Sequence, residues 1–160
     1  MRTPTLYMMI GTPYSGKSTW IHKQVLKNGN YDFMIVDTDT WIEGRAKALG
    51  RTYGEVIKSE MPDAKRLMDH QLRNAIKDNK DIYWDQTNMT VKSRKEKLKK
   101  VPDHYDKVAV VFKSPQGEEL ERRIAMRKNK FIPSHVLQTM AASYQEPTYA
   151  EGFTQIIHVG

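Results

Sequence analysis

The sequence predicts a three-layer α/β fold around a mainly parallel, five-stranded sheet. Short apolar runs alternate with amphipathic stretches at helical spacing, and the first run ends in a glycine-bounded loop that leads into a helix. The length of 160 residues allows one core, and no repeat or Pro/Gly/Ser-rich linker divides it, so a single domain over 1–160 is expected.

Leu6 to Ile10 reads as the first strand, stopping at Gly11, and the helix opening at Lys17 carries Ile21, Val25 and Leu26 on one face. After the Asn28-Gly29-Asn30 turn, Phe33 to Val36 is the second strand. From Asp63 to Asn79, Ala64, Leu67, Met68, Leu72, Ala75 and Ile76 fall at helical spacing, with Pro62 placed where a helix can begin. Ile82 to Trp84, Val108 to Phe112 and Gln155 to Val159 complete the sheet. Between the last two, Glu118 to Lys128 places Leu120 and Ile124 one turn apart. Pro133 then opens a helix bearing Val136, Leu137, Met140, Ala141 and Tyr144.

Twenty-six Lys and Arg against nineteen Asp and Glu give a net charge of +7, a balance suited to polyanions that other soluble proteins also reach. No apolar run approaches the ~20 residues of a membrane span, and no secretory signal region opens the chain. Cysteine is absent, which excludes a disulfide framework, thiolate catalysis and Cys-ligated zinc and fits a reducing compartment. A cytoplasmic location is expected, the host cytoplasm if the chain is phage-encoded. The five histidines lie too far apart to suggest a helical metal-binding pair.

The strongest local signal is Gly11-Thr12-Pro13-Tyr14-Ser15-Gly16-Lys17-Ser18, a match to GxxxxGK[ST] between a strand and a helix. The glycines let consecutive backbone N–H groups curl around an anion, the helix adds its positive end, and Lys17 supplies a mobile ammonium. Such a loop is built for polyphosphate, with the Ser18 hydroxyl on Mg²⁺ and Thr19 within reach of a further phosphate oxygen. By itself the loop fixes a phosphate donor such as ATP but not the reaction.

Asp37 and Asp39 follow the second strand, at the sheet edge where open α/β folds bind ligands. A kinase needs a carboxylate there to orient an acceptor hydroxyl and take its proton, and Asp39 is favoured over Asp37 as that base. Either acid could instead cap the next helix. Asp37-Thr-Asp39-Thr also imitates the DxDxT nucleophile motif of haloacid-dehalogenase-type phosphatases, but that reading needs a domain of its own beginning near residue 33. Asp85 ends the third strand, where an acid can hold magnesium through water, although Asp85-Gln-Thr87-Asn88 is also good turn chemistry.

Arg123 and Arg127, four apart on one helix face, can lean together over a bound triphosphate. Lys92, Arg94, Lys95, Lys97, Lys99 and Lys100 crowd one short helix and serve equally well as a solvated face or a guide for a phosphate backbone. Trp41, Tyr53 and Trp84 could stack on a base, but isolated aromatics in a small protein are more often core.

GTPYSGKSTW at 11–20, the Asp-x-Trp step at 39–41, DQTNMTVKSR at 85–94 and RRIAMRKNKFIPSHVLQTMAASY at 122–144 together resemble the 5′-kinase domain of bacteriophage polynucleotide kinase-phosphatase. The last segment is the most discriminating, because P-loop kinases in general do not share its arginine-bearing helix, basic loop and Ile-Pro-x-x-Val-Leu-x-x-Met. The resemblance implies an adenylate-kinase-like P-loop fold with a lid around 118–132. It implies that Lys17, Ser18 and Thr19 bind ATP phosphates and magnesium and that Asp39 is the base for a polynucleotide 5′-hydroxyl. Asp85, Thr87, Asn88 and Arg94 would organise the acceptor side, while Arg127, helped by Arg123, would reach the donor phosphates. The family's arginine three residues after the catalytic Asp is Ile42 here, and Arg45 is the candidate substitute. No counterpart of the family's phosphatase domain is expected in this chain.

The activity expected from these residues is ATP- and Mg²⁺-dependent phosphorylation of DNA or RNA 5′-hydroxyl ends. A small-molecule kinase acting on a nucleoside, sugar or antibiotic is the alternative enzyme, and a nucleotide-binding switch protein without acceptor chemistry the alternative outside catalysis. Oligomeric state has no sequence signal.

Overall fold

A computed structural model describes residues 2–29 and 32–160. Five strands form one all-parallel sheet: β1 (Thr5–Ile10), β2 (Phe33–Val36), β3 (Asp81–Trp84), β4 (Asp106–Phe112) and β5 (Gln155–Val159), in the order β2-β3-β1-β4-β5. Near-continuous apolar strands are what a parallel sheet covered on both faces requires. Leu6, Met8 and Ile10 of β1 join Ile82, Trp84, Ala109 and Val111 in one core, and Met9, Tyr83, Val110 and Phe112 face the other.

Helices α1 (Lys17–Asn28), α2 (Asp39–Leu49), α3 (Tyr53–Lys77), α4 (Val91–Leu98), α5 (Gly117–Met126) and α6 (Ser134–Ala142) connect the strands. Ile21 of α1 packs on the Met9 face, while Met68, Leu72 and Ala75 of α3 pack on the Leu6 face. Leu26 does not share the buried face of α1, being 72% exposed. Gly29 closes α1 in the left-handed region at φ 55°, and the turn's Asn30 lies outside the described residues.

Pro62 does not begin a helix but sits inside α3. The start is Thr52, whose hydroxyl accepts from the Glu55 N–H while the Glu55 carboxylate accepts from the Thr52 N–H. That reciprocal cap satisfies two end groups, whereas Pro62 removes one donor on an exposed face, where water can solvate the freed Lys58 carbonyl. Helix α6 ends at Ala142, so Tyr144 lies beyond it and is exposed. The loops after β1, β2, β3 and β4 all leave the same sheet edge, and all four line one cleft of ≈ 1300 Å³.

Candidate active site

The loop from Gly11 to Ser18 lies at the base of the cleft. The Gly11 N–H donates to the Thr87 carbonyl at 3.0 Å, tying the loop to the segment after β3. A Cβ on Gly11 would stand 2.6 Å from Ser15 Oγ and 3.0 Å from Phe112 Cβ, so only glycine fits there. Tyr14 at φ 68° and Gly16 at φ 97° curl the backbone through the left-handed region. Gly16 caps α1 without a side-chain hydrogen bond, which leaves the helix's positive end to an external anion. Ser15 Oγ is buried with no hydrogen-bond partner among the described residues. An uncapped helix end, a loop that a Cβ at Gly11 would crowd and an orphaned hydroxyl fit a bound phosphate chain.

Lys17 Nζ donates to the Gly11 and Thr12 carbonyls, both at 2.8 Å. Burial pushes its ammonium down to about 8, against the pull of Asp85 and Asp39 and with the push of Lys130 and Arg127. Ser18 Oγ donates to Asp85 Oδ2 at 2.9 Å. These two oxygen ligands suit a hard divalent cation, and no cluster of three or more His, Cys, Asp or Glu among the described residues forms a protein-only metal cage. A magnesium ion there would complete its shell with water and phosphate oxygens.

Asp39 is the first residue of α2, and both of its carboxylate oxygens are engaged. Tyr53 Oη donates to Oδ1 at 2.6 Å, and Lys130 Nζ forms an ion pair with Oδ2. Burial pushes the Asp39 carboxyl up, but the Lys130 ammonium, the Tyr53 hydroxyl and the more distant Lys17 together hold it below its ordinary value. Burial first, then Asp39, drives the Tyr53 phenol strongly upward, so it stays a donor. Asp37 differs: burial pushes it up, and its Oδ2 accepts from Thr40 Oγ1 at 2.7 Å.

The segment from α5 to residue 132 closes the cleft on its other side. Arg123 Nη1 donates to the Tyr14 carbonyl at 2.8 Å, and Tyr14 Oη donates to the Lys130 carbonyl at 2.7 Å while accepting from the Ile132 N–H at 3.2 Å. Arg127 Nη2 reaches across to Glu43 Oε1 on α2 at 2.6 Å. Pro13 to Thr19, Asp37, Asp39, Asp85, Thr87, Arg123, Arg127 and Lys130 therefore border one space.

Other sequence candidates lie elsewhere. Arg94 is fully buried, with Nε on Glu151 at 2.8 Å and its terminal nitrogens on the Asn88 and Gln145 carbonyls, so it braces the core rather than facing an acceptor. Asn88 is 1% exposed and donates to the Met9 carbonyl at 2.7 Å, a strut at φ 49° instead of a substrate contact. Arg45 does not enter the main cleft, because Glu60 holds its Nε at 3.0 Å beside a smaller pocket. Ile42 is fully buried between α2 and α3, where an arginine would have no water. Along α4, Lys97 turns inward to Asn88 Oδ1 and the Trp84 ring.

Lys130 and Tyr53 are the main additions to the site. Tyr53 is 7% exposed, as a core aromatic would be, yet its hydroxyl serves Asp39, and the Lys130 ammonium lies 5.3 Å from its ring centroid. The sequence signal for Lys130 is weak: it is one cation in the Arg-Lys-Asn-Lys run that precedes Phe131-Ile132-Pro133.

A parallel sheet ordered 2-3-1-4-5 with a GxxxxGKS loop after its central strand defines a P-loop kinase-type domain. The chain matches the sequence profile described as an AAA domain over residues 6–147 and belongs to that family. Its fold is similar to that of a provisionally designated kinase from Chloroflexus aurantiacus, with a TM-score of 0.72 at 16% identity, covering 99% of this chain and 86% of that one. A chain of the Pnkp1/Rnl/Hen1 RNA repair complex superposes with a TM-score of 0.66 at 21% identity, over 89% of this chain and 44% of that one, so this chain spans less than half of it. A gluconokinase from Sinorhizobium meliloti 1021 gives 0.55 at 18% identity, over 99% and 83%. These likenesses establish the fold.

Proposed function

We propose that the protein is a polynucleotide 5′-hydroxyl kinase that transfers the γ-phosphoryl group of ATP to DNA or RNA ends. The observation that carries this reading is the Asp39 carboxylate, held ionised by Tyr53 and Lys130 across the same cleft from the phosphate loop. A carboxylate has about four acceptor sites, so Asp39 can still receive a hydroxyl proton while both partners stay in place. The net charge of +7 and the cleft-lining Lys23 and Lys113 favour a polyanionic acceptor. The cleft of ≈ 1300 Å³ exceeds the ~300–1000 Å³ usual for one small ligand and has room for ATP and an acceptor together.

Lys17 and the loop N–H groups bind the β- and γ-phosphates, and Ser18 and Asp85 hold magnesium. When bound, the ion supplies positive charge to the phosphate oxygens. Asp39 orients the 5′-hydroxyl in line and accepts its proton as the oxygen bonds to phosphorus and the bond to ADP breaks. Residues 118–132 act as a lid, with Arg123 on the loop and Arg127 drawn from Glu43 toward the transferring group.

The test is transfer of γ-labelled phosphate from ATP with Mg²⁺ to 5′-hydroxyl DNA and RNA oligonucleotides, beside 5′-phosphorylated controls. Label should enter the 5′-hydroxyl ends alone. Asp39→Asn should lower turnover by about 10²–10⁴-fold while sparing ATP binding, and Lys17→Ala should damage both. A second reading, a small-molecule kinase, draws on Ile42 and Arg45, which leave the main cleft's acceptor side without an arginine. Labelling of sugars or nucleosides but of no oligonucleotide would establish it.

A further inference from the structure

The reaction derived above makes no use of the lysines on α4. Lys97 turns back over the end of β3, where its ammonium meets Asn88 Oδ1 and lies 5.8 Å from the Trp84 ring centroid. Trp84 Nε1 in turn donates to Gln86 Oε1 at 3.0 Å, and Gln86 lines the main cleft. Lys97 is thus linked to the cleft wall through one indole.

Helix α3 supplies the facing side. Ala64, Met68 and Leu72 form its buried stripe, and Met61, Lys65 and Asp69 follow one another beside that stripe at four-residue spacing, on one helix face. Met61 lines the cleft, and at the other end of this row the Asp69 carboxylate accepts at 3.4 Å from Nζ of Lys100, just past α4. Lys65 is exposed between them. Burial first, then Lys100 and Lys65, push the Lys97 ammonium down to about 8, so three ammonium groups from two elements share one neighbourhood. The acids there are Asp69, in an exposed ion pair of small net worth, and Glu96, which pulls Lys97 the other way. Lys95 and Lys99 add further charge on the exposed side of α4. Crowded cations that begin one helical turn from the cleft suit a chain of phosphates emerging from it, whereas a small acceptor that ends inside the cleft leaves them idle.

We infer that Lys65, Lys97 and Lys100 form a track along α3 and α4 that receives the phosphodiesters of the acceptor strand where it leaves the cleft. The inference rests on the polynucleotide reading of the main cleft and gives that strand a direction, past Met61 toward α4. Ammonium groups on phosphates neutralise charge and read no base edge, so the track selects for length and not for sequence.

The experiment compares kcat/KM for two 5′-hydroxyl acceptors, a dinucleotide and a single strand of about twelve nucleotides, with ATP and Mg²⁺ over a series of salt concentrations. The dinucleotide has no phosphates to place beyond the cleft. The wild-type protein should favour the longer strand by about tenfold at low salt, and the slope of log kcat/KM against log salt should be steeper for it by about two, at ~0.7 per phosphate neutralised. Lys65→Gln/Lys100→Gln should remove most of the preference and of the extra slope, with the ATP KM and the dinucleotide reaction unchanged. Lys65→Arg keeps the charge and should keep the preference. Lys27→Gln, at the exposed end of the helix that packs on the other face of the sheet, should keep it as well. Equal use of the two acceptors by the wild type overturns the track and leaves the kinase reading standing. So does a preference that survives the double substitution, an equal loss on both acceptors, or loss of the preference in Lys65→Arg or Lys27→Gln. Labelling of neither acceptor by a protein that binds ATP overturns both.

Discussion

Replacing Lys130 with methionine tests how the candidate base is kept ionised. Burial opposes charge on Asp39, while Lys130, Tyr53 and Lys17 favour it, with Lys130 the strongest of the three. An opposite charge in contact favours the ionised carboxylate, and with the Asp39 side chain 36% exposed, solvent screens part of that effect. Lys130→Met should raise the Asp39 pKa, because burial then works against Tyr53 and Lys17 alone. The sign follows from which form works: a general base must be ionised, so the acid limb of kcat/KM moves up with its pKa and activity is lost on the acidic side. The assay is the pH profile of kcat/KM for oligonucleotide phosphorylation from pH 4.5 to 8, with side-chain carboxyl NMR of Asp39 as a direct check. The wild type should stay flat toward the acid end, and the variant should fall off while still in the accessible range. Superimposable acid limbs would refute the electrostatic role given to Lys130.

Nucleotide binding should take up a proton when the pH is raised from 7 to 9, because phosphate restores the ammonium that burial of Lys17 has pushed down to about 8. Calorimetry in two buffers of different ionisation enthalpy reads this, and Lys17→Ala should abolish the uptake. In the ligand-free protein the same group makes stability rise with pH between about 8 and the ordinary lysine value, where only the unfolded chain holds the proton. Arg94→Ala should destabilise by about 3–5 kcal/mol by leaving the buried Glu151 unpaired. Denaturant melts check that loss, and the folded fraction should keep its acceptor KM. Gly11→Ala should weaken ATP binding by about tenfold or more through displacement of Ser15, measured by titration.

The layers of the fold were legible because strands and helices write different periods into a sequence. Runs such as Phe33 to Val36 and Gln155 to Val159 became strands with those bounds. Helix α3 was legible in its core positions and not in its start, since Pro62 imitates a first-turn proline and the Thr52–Glu55 cap lies a full ten residues earlier. The phosphate loop was legible because its chemistry is local: glycines, lysine and serine act at fixed spacing along the backbone. The proposed acceptor side is assembled from α2, α3 and the basic loop, where spacing carries no information. Asp39 meets Tyr53 fourteen residues away and Lys130 ninety-one residues away. Arg94 misled for a related reason: a charged residue in a basic helix reads as solvated, yet burial is affordable once Glu151 and two backbone carbonyls take up its donors.

Tyr14 joins the two halves of this site. Its backbone belongs to the phosphate loop, and its carbonyl accepts from Arg123, so the loop's curvature is tied to α5. The Tyr14 hydroxyl meanwhile bridges the Lys130 carbonyl and the Ile132 N–H, which fixes the backbone that delivers the Lys130 ammonium to Asp39. In the proposed reaction, a phosphate chain entering the loop and a hydroxyl approaching Asp39 would therefore act on one connected set of hydrogen bonds, not on two independent ones. Arg127 spans the same gap through Glu43, holding α5 against α2 by a single exposed ion pair, a contact of small net stability. In the proposed reaction, firm bonds at Tyr14 and a weak one at Glu43 would let the Arg127 end release and swing toward the transferring phosphoryl group while Lys130 stays on Asp39.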